Sequence, residues 1–136
     1  MKRLALLFIF ITYSFSLDNN YEQKLYEKIL PAIYKKTNVI YFPDKKSELI
    51  LKNSTVLKHT SNCKDADILI GKSFNKIPSV CKNKPQFSTN YRSFLNNRNT
   101  IGAFYWRKGR PQIKFKLDNL DKFNLELPKS LMEFGE

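Results

Sequence analysis

The chain has 136 residues, room for one hydrophobic core, and its 42% hydrophobic and 14% aromatic residues with only 4 Gly and 6 Pro exclude a disordered or fibrous polymer. Its 24 Lys and Arg outnumber 12 Asp and Glu, and the resulting formal net charge of +12 directs attention to anionic partners or surfaces.

The amino terminus has the pattern of an export signal. Lys2 and Arg3 precede the apolar run Leu4 to Ile11, which suits a signal core and is too short to span a bilayer. Ser14-Phe15-Ser16 then sets small residues at the −3 and −1 positions of a cleavage site. Residues 1–16 are therefore expected to be a signal peptide, and residues 17–136 a soluble α/β domain that stays basic after losing Lys2 and Arg3. In a cell with an outer membrane the expected location is the periplasm. No Cys follows the run to take a lipid, and no later segment reaches the roughly 18 apolar residues that a span requires.

From Tyr21 to Tyr34 the positions Tyr21, Leu25, Ile29 and Ile33 recur every four residues beside Tyr26, Leu30 and Tyr34, one face of a helix that Pro31 should kink or restart. Asn38 to Phe42 is β-branched and aromatic and reads as a first strand closed by Pro43. Asp44 to Lys52 begins with a capping residue and suits a short helix, and Thr55 to Lys58 is a marginal strand. Ala66 to Ile70, ended by Gly71, has the continuous apolar character of a buried parallel strand. Ser73 to Val80 has room for a turn or a short helix. Gln86 to Thr89 follows as a strand, and Asn90 can cap a helix through Phe94 and Leu95. Thr100 to Trp106 and Gln112 to Leu117 alternate in character around Lys108-Gly109, a β-hairpin with a tight turn. Asp118 is placed to cap a short helix, and Pro128 to start a last helical turn. The expected fold is a single-domain α/β sandwich: a mixed sheet of about five strands with a C-terminal β-hairpin, flanked by helices.

Export governs the reading of Cys63 and Cys81, the only thiols. An even number of thiols in an oxidising compartment makes a single intramolecular disulfide the leading reading, and each Cys precedes one of two strands that, as parallel neighbours, would make the bridge geometrically plausible; two reduced, buried thiols are the alternative. Metal binding is weaker, because the spacing fits no zinc pattern and His59 is the sole imidazole. The same lone His, without a Ser or Cys signature, argues against a nucleophilic triad; the acidic residues are scattered, and no Gly-rich phosphate loop is present. The expectation is a protein without catalytic activity or cofactor. One segment gathers partner-binding chemistry: Tyr105 and Trp106 beside Arg107, Lys108 and Arg110, aromatics next to a basic hairpin tip. The competing explanation is that Phe104 and Trp106, or Tyr105, are sheet-core residues and the Lys/Arg cluster is a solvated turn.

A family resemblance rests on ordered fragments from residue 63 to 134. Ala66-Asp67-Ile68-Leu69-Ile70, Thr89-Asn90-Tyr91, Ile101-Gly102-Ala103-Phe104, Gly109-Arg110 to Ile113-Lys114-Phe115, and Asn124 to Leu127 with Ser130-Leu131-Met132 follow one another. This order resembles the YfiR-like family of small periplasmic proteins, whose strands read "C-D-I-L-F-I", "T-V-S-D", "G-G-M-I-x-F" and "G-K-x-R-F-E-I-N" before a final "G-L-x-I-S-S-x-L-L". Asn99-Thr100 stands at the glycine pair, and Pro128-Lys129 where the first serine should fall. The resemblance implies a regulator that binds the extracytoplasmic part of a membrane signalling protein, a diguanylate cyclase or a sensor kinase, with disulfide state affecting the regulator. The rival expectation is a periplasmic module for an anionic or glycan ligand or for the anionic envelope surface. Export disfavours intracellular nucleic acid as a partner, and a homodimer stays open.

Overall fold

The computed structural model describes residues 21–35 and 38–136. The expected signal peptide lies outside them. Val39–Tyr41 (β1), Lys58–Thr60 (β2), Ile68–Gly71 (β3), Gln86–Ser88 (β4), Thr100–Arg107 (β5) and Arg110–Phe115 (β6) form one mixed sheet in the order β2-β1-β3-β4-β5-β6. The first five are parallel, with Ile40 opposite Ile68 and Ile70 opposite Phe87, and β6 returns antiparallel to β5. Helices cover the sheet: α1 (residues 21–33), α2 (Lys45–Leu51), α3 (Tyr91–Asn96) and α4 (Leu117–Lys122).

Both faces are buried, which is why β3 is a continuous apolar run with every residue inside. On one face Tyr26, Ile29, Leu30 and Ile33 of α1, Leu51 of α2 and Leu120 of α4 join Ile40, Ile68, Ile70, Phe87, Phe104 and Phe115. On the other, Cys63, Leu69, Phe74, Ile77 and Cys81 form one cluster, and Phe94 of α3 packs on Ala103 and Tyr105 in a second. The described part of the chain is thus an α/β fold with a single six-stranded mixed sheet.

Local departures from expectation have physical causes. The marginal strand exists but lies at Lys58–Thr60, an edge position where a polar, mostly exposed segment pairs on one side only. The helix runs through Pro31 without a break: the ring is exposed near the last turn, and Tyr34 N–H still reaches the Leu30 carbonyl at 2.8 Å. Asp118 sits in the first turn of α4 rather than capping it; Lys116 holds the cap position, because β6 ends at Phe115 and the helix begins at once.

The core also holds two phenols with different satisfaction. Tyr34 donates to the Asp67 carbonyl at 3.3 Å, whereas the Tyr26 hydroxyl is buried with no hydrogen-bond partner. Burial first, then the Glu22 charge, pushes the Tyr26 pKa well above 10.0; burial and then Asp67 push Tyr34 the same way. The folded state therefore keeps protons that the unfolded phenols release, so the linkage leaves stability undiminished below pH 10.0 and lowers it as the pH rises beyond. Tyr26→Phe removes the unmet hydroxyl and is expected to raise stability by about 1 kcal/mol while flattening the alkaline decline. Thermal melts at neutral and alkaline pH check this; a lower neutral melting temperature contradicts it.

Candidate functional site

In an open, mostly parallel sheet, ligands enter at the carboxyl ends of the strands where the strand order reverses. Here that point lies between β1 and β3, and Asp44 occupies it. Its Oδ1 accepts from the Ser47 N–H at 2.8 Å, capping α2, and its Oδ2 accepts from the Lys72 N–H at 2.8 Å just beyond β3. Gly71 permits this approach, since a Cβ there would run into Pro43 Cγ and stand 2.8 Å from Asp44 Oδ2. The backbone donors that an anionic ligand would use are taken by the chain's own carboxylate, and Glu22 lines the same crevice. Lys46 and Lys72 line this crevice beside the two carboxylates, so its charges are mixed rather than uniformly basic.

The hairpin tip is open. Lys108 (φ 52°) and Gly109 (φ 76°) both adopt left-handed backbone, the two-residue turn that matches strand twist. The register sets Arg107 directly opposite Arg110, a like-charge cross-strand pair that opposes folding unless a counter-charge arrives. Arg107, Lys108 and Arg110 are all exposed, and none joins an ion pair among the described residues. Trp106, 38% exposed, is held by three contacts: its Nε1–H donates to Glu22 at 2.7 Å, and its ring lies 6.1 Å from Tyr21 and 5.7 Å from Phe104. Tyr105 points to the opposite face, 8% exposed, between Phe94 and Ala103 and 5.3 Å from the Tyr91 ring. Alternation separates Trp106 from Tyr105, whereas Arg107 and Arg110 share Tyr105's face and are exposed at the hairpin end, so four of the five tip candidates reach the surface and Tyr105 is packed.

Cys63 and Cys81 form a disulfide, with Cα atoms 6.0 Å apart, in the short 3₁₀ turns that precede the neighbouring parallel strands β3 and β4. Lys84 reinforces the junction by donating to the carbonyls of Lys64 at 2.7 Å and Ala66 at 2.6 Å. His59 is exposed on the edge strand, 6.2 Å from the Phe42 ring, and among the described residues no group of three His, Cys, Asp or Glu could hold a metal ion.

A third surface escaped the sequence reading. Two adjoining clefts, of about 480 and 280 Å³, lie between the disulfide-stapled segment and α3 and share Asn75, Asn96 and Asn97. The clustered Asn96-Asn97-Arg98-Asn99 is the sequence signal that could have found them. Compared with known proteins, the chain matches no family model and no curated relative.

Proposed function

We propose that the chain is an exported, non-catalytic regulator that binds an acidic face on the extracytoplasmic part of a membrane signalling protein of the diguanylate cyclase or sensor kinase type. The observation that carries this reading is the tip of the β5–β6 hairpin, where Arg107, Lys108 and Arg110, in no ion pair among the described residues, adjoin in sequence an exposed Trp106 already held by Glu22, Tyr21 and Phe104. Trp and Arg dominate interface energetics, and an anchor held before binding loses little conformational freedom on docking. The disulfide is consistent with an oxidising compartment. The resemblance of the ordered fragments to the YfiR-like family points to the same role, although Thr89-Asn90-Tyr91, Asn124 to Leu127 and Ser130 to Met132 lie outside the strands. Regulation would follow from tighter binding to one receptor state than to the other, which shifts the receptor's population.

Replacing Arg107, Lys108 and Arg110 together by Ser is expected to leave stability within about 1 kcal/mol, since all three are exposed. Capture from the envelope fraction should recover a cyclase or kinase with the parent chain, less strongly as salt rises, and roughly tenfold less with the variant. Undiminished capture by the variant would remove the hairpin from the interface.

A further inference from the structure

We propose that the groove between α3 and the disulfide-stapled segment binds an acidic oligosaccharide. This site is separate from the hairpin tip and does not depend on the regulatory reading. Lys72, Lys82, Arg92, Arg98 and Lys122 line the two clefts, and no carboxylate does. Lys122 Nζ donates to the Asn99 side-chain Oδ1 at 2.6 Å; the other four side chains take part in no ion pair among the described residues.

The amides divide into framework and surface. Asn90 donates to the Lys72 carbonyl at 3.1 Å, Asn97 to the Ser93 carbonyl at 2.9 Å, and Asn99 to the Lys82 carbonyl at 2.6 Å. Asn75, Asn83 and Asn96 are exposed in the lining. Each offers both a donor and an acceptor, which is what vicinal hydroxyls require, while the neighbouring Arg and Lys heads match carboxylates. The wall is preorganised: Cys81 fixes the backbone one residue before Lys82, and the Lys82 carbonyl accepts from both Asn99 and Gln86.

The same chemistry disfavours other anions. Single-stranded nucleic acid needs exposed aromatic platforms, and the ring lining the groove, Phe74, is 3% exposed. A compact phosphate needs donors converging on one point, whereas these cations are distributed over two clefts.

Calorimetric titration of the disulfide-bonded chain with tetragalacturonate tests the site, with maltotetraose, tripolyphosphate and oligo-dT as competitors. Tetragalacturonate should bind in preference to all three. Lys82→Ser with Arg98→Ser, and separately Asn75→Ala with Asn96→Ala, should each weaken it roughly tenfold or more. The Arg107/Lys108/Arg110 to Ser variant should bind it unchanged. All four groove positions are exposed, and Lys82→Gln with Arg98→Gln should reproduce the loss with side-chain bulk retained. Equal loss in the tip variant, tighter binding of tripolyphosphate or oligo-dT, or no detectable binding of tetragalacturonate overturns the proposal. Any of these leaves the hairpin reading standing, because that reading is tested by capture of a membrane protein.

Discussion

Cys63→Ser and Cys81→Ser are each expected to destabilise the protein by about 3 kcal/mol, the chain-entropy value for a loop of this size, and the double variant by little more. The near-equality follows because either change removes the same cross-link. The local setting adds to the effect: both cysteines are buried with Leu69, Phe74 and Ile77, so a serine hydroxyl would enter an apolar cluster. That cluster lies on the face opposite α1, where 3₁₀ turns at Cys63–Asp65 and Ser79–Cys81 stand in place of covering helices. Removing the bridge should therefore loosen the segment that carries Lys82 and Asn83 before it disturbs β5 and β6. Denaturant midpoints of the three variants and thiol titration of the untreated native protein check the claim. Free thiols in that sample, or a single variant as stable as the parent, contradict it.

What could be read from the sequence was mostly what local rules determine. Asp44 and Asn90 were legible as helix caps because an Asx side chain before an amphipathic turn satisfies the orphan N–H groups, and both do so here through Ser47 and Ser93. Lys108-Gly109 was legible as a turn because Gly tolerates the positive φ such a hairpin needs. The cysteine pairing was legible because two thiols in a chain with an export pattern favour one bridge, and the disulfide is present. The strand at Lys58–Thr60 was misplaced because an exposed edge carries no apolar alternation to mark its limits. Alternation in β5 showed that Tyr105 and Trp106 face opposite ways, but which one is buried depends on α3 and α1 packing on the two faces. The groove was least legible, since residues 72–75, 82–86 and 92–99 meet only through the sheet order.

Phe87→Ala is expected to cost about 3–5 kcal/mol, the range for deleting a fully buried aromatic ring. Phe87 lies in β4 at 0% exposure and joins three elements: its ring meets Tyr26 of α1 edge-on at 5.4 Å, Phe115 of β6 at 6.2 Å, and the open face of Gly102 in β5. A Cβ on Gly102 would stand 2.8 Å from Phe87 Cε2 and 2.7 Å from the Lys114 carbonyl oxygen. Gly102→Ala should therefore also destabilise. Phe87→Leu should relieve the ring contact but not the carbonyl contact, because that oxygen belongs to a strand paired with β5. The loss reaches the hairpin tip through α1, whose Tyr21 and Glu22 hold Trp106. Trp106 is the only tryptophan in the sequence, so its fluorescence reports on that docking directly. Phe87→Ala should lower the denaturant midpoint sharply and shift Trp106 emission to the red. A midpoint within about 1 kcal/mol of the parent, with unshifted emission, would show that α1 and the hairpin are held together by something other than the ring at Phe87.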